Sequence, residues 1–140
     1  MKILIIEDVV INIRLLEKIL NDYGSCDSVR SGKDGLQLFK AAQKKNKPYD
    51  LICLDIFMPG ISGFEVLQQI RQIDKGLKKV KIIMTTSSDE EEDVIKAIRY
   101  GCDSYMLKPY NKKDIEEKLI QFGLFKPDVV DKDSKEKEGE

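Results

Sequence analysis

Three runs in this chain are apolar at almost every position over the length of a strand: Ile3–Ile6, Leu51–Leu54, and Val80–Met84 with Lys81 as its one interruption. A strand with a wet face alternates apolar and polar residues, so runs like these predict strands buried on both faces. Two weaker segments complete the set, Cys26–Arg30 and Ser104–Leu107. The predicted strands cover 3–6, 26–30, 50–54, 80–84 and 104–107. Such strands need cover above and below, which excludes a meander with an open face.

The intervals supply that cover. Ile11, Leu15, Leu16, Ile19 and Leu20 recur at helical spacing and predict a helix over about 12–22, stopped by Gly24. Leu36, Phe39 and Ala42 form the stripe of a second helix entered at Ser31–Asp34, and Phe64, Val66, Leu67, Ile70 and Ile73 that of a third opened by Ser62 or Gly63. Ser88 with Glu91 reads as a capping box for a fourth helix, whose acids at 89–93 suit the positive end of its dipole. Val94, Ile95, Ala97 and Ile98 are its expected core face, and Gly101 its end. Asn111 caps a fifth, with Ile115, Leu119 and Phe122 inward. Strict alternation with short loops predicts an α/β fold with five parallel strands in a doubly wound sheet. Residues 1–125 form its one domain, and the charged stretch 126–140 is an expected disordered tail.

Composition removes several functions. At 140 residues with 41% hydrophobic content the chain can build a core, yet no apolar run reaches membrane-spanning length. A net charge of −1 without a basic cluster argues against nucleic-acid binding. Cys26, Cys53 and Cys102 are an odd, scattered set that reads as free thiols of a cytoplasmic protein. Histidine is absent, which leaves carboxylates, hydroxyls and lysine to carry any chemistry.

Those residues gather at the strand ends. Glu7 and Asp8 follow the first strand, Asp55 the third, Thr85 and Thr86 the fourth, and Lys108 the fifth. In a parallel sheet these ends share one edge, where ligands bind. Three carboxylates there repel one another, and an oxygen-liganded Mg²⁺ relieves the repulsion. With a lysine to meet phosphate and a hydroxyl to bond a bound oxygen, the set predicts a phosphoryl-transfer site.

The acidic pair Glu7-Asp8, the block Asp55-Ile-Phe-Met58-Pro59 with Gly63, Thr86-Ser87, and Tyr105-Met-Leu-Lys108-Pro109 resemble a response-regulator receiver domain of the single-domain, chemotaxis-regulator kind, from Met1 to about Phe125. The resemblance implies a flavodoxin-like strand order 2-1-3-4-5. It makes Asp55 the phosphoacceptor and modified residue, served by a sensor histidine kinase or a histidine phosphotransfer protein. It implies Mg²⁺ on Asp8, Asp55 and the carbonyl of Phe57, with Glu7 acting through water. Lys108, joined to Pro109 by a cis bond, would pair with the phosphoryl group and Thr86 would bind its oxygen. Thr86 and Tyr105 would then switch the face of the fourth helix, fifth strand and fifth helix toward a downstream effector. Phe57 and Ser88 stand where the family tunes phosphoryl lifetime, and bulky Phe57 implies slow hydrolysis.

Such a chain assists its own phosphorylation without being a multiple-turnover enzyme, and it would be a monomer or weak dimer with no membrane or nucleic-acid partner. A haloacid-dehalogenase-type phosphohydrolase would need an acid where Phe57 stands. Two alternatives remain: a phosphorylation-independent binding module on the same fold, and the amino-terminal receiver of a longer regulator.

Overall fold

The computed structural model describes residues 1–74, 76–88 and 90–127. Strands and helices alternate throughout: β1 (Lys2–Ile6), α1 (Val10–Leu20), β2 (Ser25–Val29), α2 (Gly32–Lys44), β3 (Leu51–Asp55), α3 (Gly63–Ile73), β4 (Lys81–Thr86), α4 (Glu91–Arg99), β5 (Ser104–Leu107) and α5 (Lys112–Gln121). All pairings are parallel, in the order β2-β1-β3-β4-β5. The first strand therefore lies inside the sheet and the chain is wound outward twice from it, as anticipated.

The sheet and the first four helices form one unit, Met1–Tyr110, and α5 belongs to a second, Asn111–Glu140. Within the first unit the strand period of two divides the core. Leu4, Ile6, Ile52, Leu54, Ile82 and Met84 point to one face, where α2, α3 and Ala97 of α4 cover them. The other residues of the same strands, Ile3, Ile5, Leu51, Cys53 and Ile83, are equally buried on the opposite face. Burial on both faces is why these runs are apolar without alternation. In the second unit Ile115 and Leu119 are the buried residues of α5, and Asn111 accepts hydrogen bonds from the amides of Lys113 and Asp114.

Several boundaries moved. α1 begins two residues before its expected start, and its buried face is Ile13, Leu16 and Leu20. Ile11 and Leu15 are 61% and 42% exposed, so part of the expected stripe faces outward. Gly24 lies beyond the helix; a Cβ there would sit 2.2 Å from the carbonyl oxygen of Met1, so glycine is needed where the chain passes the start of β1. β3 includes Asp55, and β4 runs through Thr86.

The capping box at α4 is not formed. The helix starts at Glu91, too late for Ser88 to be its cap; Ser88 accepts from the amide of Glu90 and donates to Asp93. Ile95 and Ile98 are 45% and 62% exposed, and Ala97 is the one buried residue of α4. A small residue lets this helix lie close to the sheet with little side-chain depth beneath it. Asp89 and residues 128–140, including most of the expected tail, lie outside the described residues.

Candidate functional site

The acidic end of the sheet is built by strand register. Ile6 pairs with Leu54, and Asp55 with Thr85. One step along, Glu7, Asp55 and Thr85 fall in a single lateral row, and side-chain alternation sends all three to the same face. Thr86 and Tyr105 fall on the other face, the one carrying α3 and α4, because Tyr105 pairs with Met84.

Asp55 is held where it is by the turn that follows it. Gly63, the first residue of α3, donates to the carbonyl of Ile56 at 2.7 Å. A Cβ on Gly63 would lie 2.2 Å from the carbonyl oxygen of Asp55, so only glycine allows the helix to start so close to the strand. Of the two candidates for the helix entry, Ser62 caps α3 by accepting from the amide of Glu65. The β1–α1 turn is fixed separately: Arg30 donates from Nε and Nη2 to the carbonyl of Asp8 at 3.1 and 3.0 Å.

Four of the expected residues converge. Carboxylate oxygens of Glu7, Asp8 and Asp55 all lie within 4.8 Å of one another. Lys108 Nζ reaches Glu7 Oε1 at 2.8 Å and Asp55 Oδ1 at 3.3 Å. The Lys108–Pro109 peptide bond is cis. Burial makes the site electrostatically stiff: Glu7 is fully buried and Asp55 is 4% exposed. Loss of water, followed by the neighbouring charge of Glu7, raises the Asp55 carboxyl from 3.8 to about 7 against the pull of Lys108. Glu7 goes the other way. Burial opposes its charge, but the hydrogen bond from Lys108, the Val9 amide at 3.0 Å, the lysine charge and Tyr110 together hold it below the ordinary carboxylate range. Lys108 is raised: its own burial works against the charge, and the two carboxylates more than offset it.

The remaining expected residues are engaged elsewhere. Thr86 Oγ1 accepts from the amide of Ser88 at 3.2 Å, and the Tyr105 hydroxyl donates to the carbonyl of Ser88. Both therefore act on the turn after β4 rather than on Asp55. The Phe57 ring is 55% exposed and lies edge-on to Phe64, with centroids 6.4 Å apart. Phe64 in turn meets Tyr100 at 6.1 Å and carries the Lys96 ammonium over its face at 4.6 Å, so aromatic contacts join the turn after Asp55 to α4.

Two residues at the site were not anticipated. In the sequence Arg30 reads only as the end of a strand. Tyr110 donates its hydroxyl to Glu7 Oε1 at 3.1 Å, although nothing in an aromatic after Lys-Pro singles out the phenol from a phenylalanine. The thiols take no part. Burial raises Cys53 to about 12 and Cys26 to about 11, which leaves both protonated and unreactive at neutral pH.

Strand order, helix placement and an acid cluster faced by a lysine define a doubly wound α/β module with a carboxylate site at its strand ends. The chain belongs to the response regulator receiver domain family, whose model matches residues 3–120. It is 39% identical over 125 residues to the hybrid signal transduction histidine kinase L of Dictyostelium discoideum, covering 87% of this chain and 7% of that protein. It is 32% identical over 119 residues to the chemotaxis protein CheY-3 of Vibrio cholerae, covering 85% of this chain and 88% of the relative. The chain thus spans a small part of the one relative and most of the other. Among solved structures it is similar to a CheY-like response regulator receiver domain protein from Methanospirillum hungatei, at 28% identity and a TM-score of 0.72, over 98% of this chain and 97% of that one. The family places the chain in two-component signalling, among signalling proteins rather than metabolic enzymes. No helix among the described residues is long and apolar enough to cross a membrane.

Proposed function

We propose that this chain is a phosphoacceptor, and that Asp55 receives a phosphoryl group from the phosphohistidine of a sensor kinase or histidine phosphotransfer protein. An Asp55 carboxylate oxygen bonds to phosphorus as the P–N bond breaks, and the electron pair stays on the imidazole nitrogen, which is then protonated. One observation carries this reading: Asp55 ends a buried strand within 4.8 Å of two further carboxylates, and Lys108 Nζ stands 3.3 Å from its Oδ1. The chain can thus neutralise charge at a buried Asp55, which is most of what phosphoryl transfer requires of a protein.

The donor set suits a hard divalent cation, because it consists of carboxylate oxygens. Asp8 and Asp55, with the carbonyl of Phe57, would hold Mg²⁺, and Glu7 would act through bound water. When bound, the ion supplies charge neutralisation at the phosphoryl oxygens. Lys108 orients the group from the opposite side. Thr86 releases the Ser88 amide and turns its hydroxyl to the phosphoryl oxygen, and Tyr105, which donates to the Ser88 carbonyl, turns inward behind it. Through these two residues the β4–α4 turn carries the state of Asp55 to the face of α4 and β5, where a downstream effector protein docks. The domain spans 1–125 and acts in the cytoplasm as a monomer or weak dimer.

Intact-protein mass spectrometry after incubation with acetyl phosphate tests the reading. A single phosphoryl adduct that requires both Mg²⁺ and Asp55, and that is absent from Asp55→Asn, is the expected result. No adduct in the wild type under any condition would refute it in favour of a binding module that works without phosphorylation.

A further inference from the structure

The Lys108 ammonium cannot serve two masters equally. It sits 2.8 Å from Glu7 Oε1 and 3.3 Å from Asp55 Oδ1, so its stronger tie is to Glu7. An anionic group added at Asp55 draws the ammonium toward itself. Glu7 is fully buried, so bulk water cannot take the place of the ammonium. A buried carboxylate that loses its cation needs its other hydrogen bonds in place.

Among the described residues, two other groups bond to it. The Val9 amide holds Oε2 at 3.0 Å, and the Tyr110 hydroxyl holds Oε1, the atom that Lys108 shares, at 3.1 Å. Behind Tyr110 stands Thr85, which lies in the same lateral row as Asp55 and is 1% exposed. Its hydroxyl is close enough to influence that of Tyr110 but forms no hydrogen bond of ordinary geometry, and Oγ1 is a buried polar atom without a partner among the described residues. An orphan of this kind calls for an explanation. A tyrosine that donates its proton to Glu7 still has lone pairs to accept a bond from a threonine.

We propose that Tyr110 is a positioning residue. It holds Glu7 in place when Lys108 is drawn to an anion on Asp55, and Thr85 supports it by donating to the phenolic oxygen in that state. The inference rests on the reading of Asp55 as the phosphoacceptor.

The test uses trifluoroberyllate, an anion with the shape and charge of a phosphoryl group, titrated in excess Mg²⁺ and followed by fluorine NMR. The proteins are wild type, Tyr110→Phe, Thr85→Val, the double variant, and Asp55→Asn as control. Tyr110→Phe is expected to weaken anion binding about tenfold, the scale of one hydrogen bond to a charged group. Thr85→Val acts through Tyr110, so it weakens binding about threefold alone and adds nothing to Tyr110→Phe. Mg²⁺ affinity measured without the anion, where Lys108 stays on Glu7, falls by a smaller factor than anion affinity does. A general loosening of the site would weaken both ligands alike, and that outcome overturns the proposal. So does wild-type anion affinity in Tyr110→Phe. If Tyr110→Phe does not fold, Thr85→Val carries the test, and unchanged affinity there overturns it. If the wild type shows no binding that depends on Asp55, the phosphoacceptor reading falls as well; if the wild type binds and Tyr110→Phe matches it, only the role of Tyr110 falls.

Discussion

Asp55 is charged at a cost to the fold, and replacing it by asparagine measures that cost. Burial and the Glu7 charge raise its carboxyl from 3.8 to about 7. For an acid whose folded value is raised, the native state holds the proton more tightly than the unfolded chain does. Stability therefore falls as pH climbs from about 4 to about 7, and the full penalty is present above that window. At about 1.4 kcal/mol per pH unit the shift corresponds to about 4 kcal/mol. Lys108 loses one of its two partners in Asp55→Asn, so about half of this gain should survive. The expected result, in chelator at pH 8, is a variant more stable than the wild type by about 2 kcal/mol, or roughly 6–8 °C in Tm. The gap should close as pH falls toward 4. Saturating Mg²⁺ should reverse its sign, because the ion stabilises only the protein that binds it well. Urea unfolding at several pH values, with and without Mg²⁺, makes the measurement. An asparagine variant equal to or less stable than the wild type at pH 8 in chelator would refute the account of a strained carboxylate.

Lowering pH from 8 to 6 should weaken Mg²⁺ binding about tenfold, since the ion needs Asp55 deprotonated and its carboxyl titrates at about 7; calorimetric titrations that give equal affinity at both values would contradict this. Lys108→Met leaves the fully buried Glu7 without its cation and should cost about 3 kcal/mol in urea unfolding. A loss below about 1 kcal/mol would mean that Tyr110 and the Val9 amide suffice by themselves. Gly63→Ala drives a Cβ to 2.2 Å from the Asp55 carbonyl oxygen and should destabilise the protein by about 3 kcal/mol while displacing Asp55, seen as lost stability together with weakened Mg²⁺ binding. The phosphorylated protein should keep its adduct for minutes or longer because of Phe57, and Phe57→Ala should shorten that lifetime; a wild-type half-life of seconds in Mg²⁺ buffer would rule out the shielding role.

The sequence by itself determined the fold class, because strands without alternation can only be central, and helical intervals between them leave only a parallel sheet covered on both faces. It also determined which chemistry was possible: a chain without histidine whose carboxylates and lysine fall at strand ends has few uses for them. Asn111 was legible as a cap because capping depends on a few neighbouring atoms, and the entry of α3 was narrowed to Ser62 or Gly63 for the same reason. What tertiary structure decided is what depends on distances between strands. The register of β3 against β4 put Thr85 in the row of Asp55 and sent Thr86 to the opposite face. The depth beneath α4 left Ile95 and Ile98 outside, where periodicity had placed them within. Tyr110 became a partner of Glu7 across 103 residues of chain, and no local pattern distinguishes a phenol that finds a buried carboxylate from a ring that merely packs. Periodicity and capping act over one turn of chain, whereas a hydrogen bond in a buried site depends on where every intervening residue has put the two ends.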